Sequence, residues 1–579
     1  MSRKVLYALV LCSVLLTHYP PLLRSEERAD SSGQGVKEKR SKSLETAKPR
    51  LVILLAVDQL RRDRLVDSLP GGLGQLLREG RVYRDAALNH GLTNTCPGHV
   101  VMLTGVNPGK AGVVGNSFIN RETWEENYCV QDTSGQAGII GYTSGGDSDH
   151  GLSDQYISEG RSPRLIKVSA LGDWLKNVSS ESRVFSVSAK DRAAITLGGK
   201  HPDGAFWFDT SRRIFTSSYY YMSALPEWLV SFNGIDPDVK GFMDEVPEYW
   251  EHSRGTYRVD DYHYEDDKFT RYSPHPLNKG DLHDIGEQVL HSPWIDKAVL
   301  DLSRELITEE KLGSGKGVDV LAVSLSATDT IGHLYGPYSS ESEDALGRLD
   351  RWLGQWLEFI QNEIGKDRIL LVLTSDHGVL EIPEWKKEGG NNRCPYEDGR
   401  AGLISMGIRV MSQVFFKFTG PFDGPESAIK FSGVQIYLNP EWKPEEESKR
   451  AELLSYVESY LEKEPFIKEV WNHKELFDVS TEKSATEIAA LFRNSHNESQ
   501  GGDLIVQPYE DCLIRGSYGT THLSPYSYDR DIPLVFWGNG VKPAEISGEV
   551  HTIDIAPTLA RYLDIGVPEN LDGKPLDLH

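Results

Sequence analysis

The chain has 579 residues, a formal charge of −24 and 39% hydrophobic residues, enough apolar content for a large α/β core. So acidic a chain is poorly suited to a nucleic-acid partner, and if it acts on an anion, local cations must reverse the field at the site. Five cysteines are too few for a disulfide scaffold at this length, although Cys96, Cys129, Cys394 and Cys512 leave room for one or two bridges.

Arg3 and Lys4 precede an apolar run over residues 5–16 that is too short to span a bilayer but suits a secretory signal. Residues 1–25 are therefore read as a signal segment. Its cleavage point is open, because Thr17-His18-Tyr19-Pro20-Pro21 offers no clean small-residue site. A lipoprotein variant on Cys12 is disfavoured by the bulky Leu11. Residues 26–49, rich in Ser, Lys, Glu and Arg, read as a disordered tether. The expectation is an exported protein, periplasmic or extracellular, with no stable membrane span once processed.

From residue 50 to residue 579 the pattern predicts one catalytic domain. Residues 51–57 form a short apolar run ending at Asp58, and residues 71–80 read as a helix closed by Gly80 before Arg81-Val82-Tyr83. Alternation of elements points to an α/β fold. Residues 117–160, rich in Gly, Ser, Asp and Thr, read as a surface insertion. Residues 166–177 look helical and residues 183–189 strand-like. Residues 201–293, aromatic at first and acidic in the middle, read as a second insertion forming a cap or side lobe. Within it Asp260, Asp261, His263, Asp266 and Asp267 leave a calcium-type site and a solvated acidic loop as alternatives, the loop being the plainer reading. Residues 298–307 look helical, and residues 318–325 and 369–374 are apolar runs of strand length. Residues 443–483 hold two helices, residues 532–537 a strand and residues 555–563 a helix. No internal repeat is present, which argues against a solenoid.

Three of the apolar runs are followed by residues suited to metals: Asp58, then Asp329 with His333, then Asp376-His377. Strand ends are where open α/β sheets place their ligands. Asp329 and His333 stand four apart, so on a helical turn both project from one face toward one ion. Alone, the pair reads more plainly as a capping Asp and an ordinary surface His. Asp376-His377-Gly378 is more telling, since adjacent side chains at a strand terminus reach different partners and Gly378 eases the turn. His522, in Gly519-Thr520-Thr521-His522, lies just ahead of another strand. Three carboxylates and three imidazoles form a mixed oxygen and nitrogen set suited to zinc and compatible with manganese or iron. Thr95, in Thr95-Cys96-Pro97-Gly98-His99, stands near the N-cap of a short helix with Pro97 in its first turn. The bland account is a cap; the functional one is a hydroxyl at a positive helix end, activated against a metal as a nucleophile.

As an ordered set, Asp58, Thr95-Cys-Pro-Gly-His99, Asp329-xxx-His333, Asp376-His377-Gly378 and Gly519-Thr-Thr-His522 with Ser524-Pro525-Tyr526 resemble the alkaline phosphatase superfamily, which includes nucleotide pyrophosphatases and arylsulfatases. The closest resemblance is to its monoesterase branch, typified by phosphate-irrepressible bacterial alkaline phosphatases. The resemblance implies a phospho-threonine on Thr95. It implies one zinc ion held by Asp329, His333 and His522 and another by Asp58, Asp376 and His377 with Thr95, two per chain. It further implies Asn116 as a phosphoryl-binding asparagine and Lys190 with Arg192 as a cationic pair. If the strand of residues 183–189 continues, Lys190 and Arg192 leave the same face and reach one dianion, which favours monoesters over diesters. The resemblance gives His99 no ligand role, leaving it to pack or bond locally. Cys96 does not meet the sulfatase pattern Cys-x-Pro-x-Arg, since Pro97 follows at once and Val100 stands where the arginine belongs.

The expected fold is a three-layer α/β/α sandwich around a mixed, mainly parallel sheet with cap insertions. The expected activity is two-metal hydrolysis of small phosphate monoesters by a monomer. A phosphodiesterase, phosphonate hydrolase or sulfatase on the same scaffold, and an inactive surface binder, are the rivals.

Overall fold

The computed structural model describes residues 48–141, 160–253, 260–395, 399–400, 403–420, 424–443, 445–514 and 516–579. The signal segment and the tether up to residue 47 lie outside them, as does part of the insertion at 117–160. Residues 46–579 form one compact unit.

A nine-stranded sheet runs through it. Its strands are β1 (Leu51–Val57), β2 (Arg81–Ala87), β3 (Val184–Ser188), β4 (Gly204–Asp209), β5 (Ile214–Thr216), β6 (Asp319–Leu325), β7 (Ile369–Thr374), β12 (Leu534–Gly538) and β13 (Ala544–His551). Their spatial order is β13-β2-β12-β7-β1-β6-β3-β4-β5. The pairings β1–β6, β1–β7, β6–β3, β3–β4 and β13–β2 are parallel, whereas β7–β12, β12–β2 and β4–β5 are antiparallel. The sheet is thus mixed and mainly parallel, as the sequence implied.

Strand β1 shows why the sandwich has three layers. All seven residues are buried, and alternate side chains enter different cores. Leu51, Ile53, Leu55 and Val57 join one core with helices Gly72–Glu79, Pro293–Glu309 and Ser340–Glu363. Val52, Leu54 and Ala56 join the other, with helices α1 (Thr95–Thr104), Leu171–Val178 and Ile555–Leu563. A strand covered on both faces must be apolar at every position, hence the uninterrupted runs. Leu54→Ala is expected to cost about 2–5 kcal/mol.

Register places the chemistry. Leu51 pairs with both Asp319 and Ile369, so β1, β6 and β7 run level and end together. Asp58, the helix α3 (Ala327–Tyr335) and Asp376 therefore leave one edge of the sheet. Helix α3 begins under a buried carboxylate, since Asp296 Oδ1 accepts from Ser326 N at 2.7 Å and Ala327 N at 2.9 Å.

Two segments differ from the sequence reading. The stretch 201–293 does not begin as an irregular cap: β4 and β5 are strands of the central sheet, and their aromatics Phe206, Phe208 and Phe215 are buried in it. A second sheet, order β8-β9-β11-β10, is built from β8 (Ile429–Ser432), β9 (Gln435–Leu438), β10 (Ile467–Asn472) and β11 (Leu504–Pro508), all antiparallel. It makes a side lobe with its own core, including Val410, Ile436, Leu453, Val470 and Val506.

Candidate active site

Asp58, Asp329, Asp376, His377 and His522 converge at the ends of β1, β6 and β7 with His333 beside them. The Nε2 atom of His377 lies 3.6 Å from Asp58 Oδ1 and 3.3 Å from Asp376 Oδ2. Asp329 Oδ1 lies 3.2 Å from His333 Nε2 and 3.8 Å from His522 Nε2. The rings of His377 and His522 stack with centroids 3.6 Å apart, which joins the two groups into one cluster.

Each imidazole is oriented from behind. His377 Nδ1 faces Gly378 O at 3.0 Å, His333 Nδ1 faces Thr520 O at 2.9 Å, and His522 Nδ1 faces Thr93 O. A carbonyl only accepts, so each Nδ1 carries the proton and each Nε2 turns its lone pair toward the carboxylates. Among the described residues Asp58 Oδ1, Asp376 Oδ2 and His377 Nε2 are buried without a hydrogen-bond partner. Buried polar atoms are normally paired, so three such atoms facing one point fit a divalent cation. Two sets of donors lie close enough together to hold an ion, Asp58 with Asp376 and His377, which carry those three atoms, and Asp329 with His377 and His522. Zinc bound at about 2.0–2.1 Å in tetrahedral geometry separates its ligand atoms by roughly 3.3 Å, close to the spacings found.

The electrostatics match. Burial, then the charges of Asp329 and Asp376, push the Asp58 carboxyl well above its ordinary range. Burial works the same way on Asp329 and Asp376, but His333 and Lys190 hold the first, and His377 and His99 the second, below that range. Burial also pushes His377 and His522 down, which favours the neutral form that ligates metals.

Thr95 is the first residue of α1, and Asn94 is the N-cap. The cap role is therefore not Thr95's. The helix start is pressed against Asp376: a Cβ on Gly98 would lie 2.2 Å from Asp376 O, so only glycine permits this approach. Asn116 Oδ1 accepts from Cys96 N at 2.9 Å, which places its amide at the same helix end. Cys96 is bonded to Cys129, and Cys394 to Cys512.

Lys190 and Arg192 do not extend a strand. Strand β3 ends at Ser188, Lys190 is the N-cap of helix Asp191–Gly198, and Arg192 is already helical. The turn arises because Ser188 Oγ accepts from Lys190 N at 3.2 Å. The Lys190 ammonium lies 2.5 Å from Asp58 Oδ2 and also bonds Asp329 Oδ2, so it bridges carboxylates of both donor sets. Arg192 is set by its neighbours: burial opposes its charge, but Tyr128 and Asp191 hold it charged. Asp191 in turn accepts from Tyr128 Oη at 2.6 Å and Arg161 Nε at 2.8 Å.

Several positioning residues escaped the sequence reading. Gln59, at φ 65°, donates its backbone N–H to Asp376 Oδ1 (3.1 Å) and Nε2 to Asp329 Oδ1 (2.7 Å). Only its adjacency to Asp58 hints at this. His99 bonds locally, as expected, but it also reaches the cluster: Nδ1 faces Thr95 O at 2.9 Å and Asp376 Oδ2 at 3.1 Å, and Nε2 faces Ser324 Oγ at 2.8 Å. Both nitrogens are engaged, so His99 steadies Asp376 instead of ligating. The loop carrying His522 is pinned by Thr93 Oγ1, which accepts from Leu523 N and Ser524 N at 3.1 Å each, with Leu523 at φ 101°. A non-glycine residue there stores strain, a common feature beside functional groups. A cavity of about 310 Å³ opens beside His522, walled by Asn94, Leu380, Val434, Leu513 and Leu523.

Comparison with known proteins agrees with this geometry. The family model for type I phosphodiesterase / nucleotide pyrophosphatase matches residues 52–530. A protein of Myroides odoratus named calcium-transporting ATPase is 31% identical, covering 91% of this chain and 94% of that one. Alkaline phosphatase PhoV of Synechococcus elongatus is 30% identical over 91% of this chain and 92% of its own length. The crystal structure of wild-type alkaline phosphatase PafA matches with TM-score 0.80 at 28% identity, covering 91% of this chain and 98% of that chain. The chain belongs to the type I phosphodiesterase / nucleotide pyrophosphatase family and is an alkaline phosphatase-like hydrolase within it.

Proposed function

We propose that the protein is a phosphate monoesterase that transfers the phosphoryl group to Thr95 and then to water. The observation that carries this reading is the convergence of the two donor sets with the first turn of α1. Asp58, Asp376 and His377 with Thr95 would hold one zinc ion, and Asp329, His333 and His522 a second, with manganese or iron as substitutes. Bound there, divalent ions supply Lewis acidity that lowers the pKa values of a hydroxyl and of water. Thr95 Oγ1 attacks phosphorus in line with the ester oxygen, the P–O bond to the alcohol breaks, and the alcohol leaves. Water then attacks the phospho-threonine and returns Thr95. The free N–H groups of the first turn of α1 favour the developing negative charge. Asn116 donates its amide to a nonbridging oxygen.

Lys190 sits on carboxylates of both donor sets and on a flexible stem, so its ammonium can exchange them for phosphoryl oxygens, while Arg192 donates from its half-buried, charged position. A solved PafA variant carries substitutions at one threonine, one asparagine, one lysine and one arginine, the threonine–asparagine and lysine–arginine separations being those of Thr95–Asn116 and Lys190–Arg192 here. That parallel supports giving the four residues a shared role.

Two disulfides suit an oxidising compartment, and among the described residues no helix is long and apolar enough to cross a membrane. The disulfides support an exported protein, and the proposal includes action as a monomer on small phosphate esters. Initial rates on an aryl phosphate, its methyl diester and its sulfate, measured on zinc-loaded protein, test the reading. The monoester should be the fastest; a diester or sulfate rate equal to or above it overturns the monoesterase assignment.

A further inference from the structure

Away from the sheet ends a second cluster of metal-type donors is buried: His252, His275 and Glu341. His252 and His275 come from opposite arms of a small antiparallel pair in which Trp250 faces His275, and Glu341 from the first turn of the long helix Ser340–Glu363. The side chains are 8%, 2% and 0% exposed. His252 Nε2 lies 3.3 Å from His275 Nε2, and Glu341 Oε1 lies 3.7 Å and 3.5 Å from the two. Such a triangle matches one face of a tetrahedron whose centre holds zinc at about 2.0–2.1 Å, for which the edge is roughly 3.3 Å.

The proton positions can be worked out. Thr270 Oγ1 donates to Tyr272 O at 3.0 Å and Tyr335 Oη donates to Thr270 O at 2.9 Å. Both hydroxyls have thus spent their protons, and His275 Nδ1, 3.2 Å from the first and 3.4 Å from the second, must donate to them. With Nδ1 so engaged, His275 presents Nε2 to the other donors. Glu341 Oε1 is buried and, among the described residues, has no hydrogen-bond partner. A buried carboxylate oxygen without a hydrogen-bond partner, packed against two imidazole nitrogens, is costly unless a cation lies among them. Rings wall the cluster, with Trp250 4.9 Å and Tyr335 5.3 Å from His275 between centroids, so little water reaches it.

We propose that His252, His275 and Glu341 bind one zinc ion, a structural site separate from the catalytic pair. Asp260 borders the site on its Glu341 side: the Ser340 hydroxyl lies 3.5 Å from Asp260 Oδ1 and 3.3 Å from Glu341 Oε2. The donors are at most 8% exposed, which keeps substrate out, as at structural zinc sites. The ion clips the antiparallel pair of Tyr249–Trp250 and His275–Pro276 to the helix Ser340–Glu363, which follows α3 with its Asp329 and His333.

The test loads the intact protein with zinc sulfate alone, desalts it and collects diffraction data at the zinc edge. An anomalous peak among His252 Nε2, His275 Nε2 and Glu341 Oε1 is expected. A map with zinc at the sheet ends and no density here overturns the proposal. His252→Ala should bind about one zinc ion per chain fewer than wild type, keep its aryl phosphatase rate within about threefold, and unfold at lower temperature. The readout is the difference between the two proteins, not the total, so it stands or falls independently of the catalytic metals. Equal zinc content in both also overturns it.

Discussion

The nine-stranded sheet and the four-stranded lobe obey different rules. In the sheet, β1, β6 and β7 are buried on both faces, run parallel in level register, and are followed within four residues by Asp58, Asp329 and Asp376 of the site. The lobe strands are short and antiparallel, and β8 buries only its two end residues while the middle two are partly exposed. It holds none of the site carboxylates and imidazoles, yet through Val434 and Leu513 it lines the cavity beside His522. The comparison teaches a division of labour: parallel strand ends fix the reacting groups, and the lobe shapes the space around them.

The largest expected effect lies on the sheet side. Thr95→Ala should lower the monoesterase rate by roughly 10³-fold or more, as when a catalytic nucleophile is removed. Because Asn94 and not Thr95 is the cap, thermal stability should move by less than about 0.5 kcal/mol. Its neighbour should behave in the opposite way. Cys96→Ser should keep the rate within about threefold yet cost about 2–4 kcal/mol of stability by opening the bridge to Cys129. A large rate loss in the cysteine variant, or a small one in the threonine variant, breaks the separation of chemistry from scaffold.

These contrasts follow how the sequence could be read. Strands β1, β6 and β7 were legible because burial on both faces forbids polar interruptions, and a lone Asp directly after such a run stands out. The order of Asp58, Thr95, Asp329, His333, Asp376, His377 and His522 along the chain sufficed to name the superfamily. Strands β8 and β9 were not legible, since four residues such as Ile429–Ser432 carry too little pattern to separate strand from loop. The sequence reading of Lys190 and Arg192 as strand neighbours failed because Ser188 captures the Lys190 amide and the chain turns into a helix. His252, His275 and Glu341 carry no spacing signal at all, for only the tertiary fold brings them together.

A smaller effect concerns the cationic pair. A charge-assisted contact of about 1.5–3 kcal/mol realised only in the transition state corresponds to roughly 10- to 150-fold in rate. Lys190→Ala and Arg192→Ala should each compress the monoester-to-diester rate ratio within that range. Equal losses on both substrates would restrict Lys190 to holding Asp58 and Asp329 apart from one another's charge.

The smallest effect is in stability against pH, where α3 meets the sheet. Burial pushes the Asp296 carboxyl up to about 7, whereas it ionises near 3.8 when unfolded. The folded chain therefore holds this proton over a window in which the unfolded chain has released it. The stability involved is full at low pH and is lost as pH rises toward 7. Asp296→Asn keeps an acceptor oxygen for Ser326 and Ala327 and removes the titration. Chemical denaturation should show the variant gaining on wild type by on the order of 1–3 kcal/mol between about pH 4 and pH 7. A difference that does not change with pH would place the Asp296 proton elsewhere.

The central claim is that Thr95, held at the strand ends beside both donor sets, accepts the phosphoryl group. Acid quenching during steady turnover of a labelled aryl phosphate, followed by peptide mapping, measures this directly. The account predicts label on the peptide containing Thr95, at the threonine itself, and none in Thr95→Ala. Label on another residue, or full turnover with no protein-bound phosphate at any quench time, would contradict it.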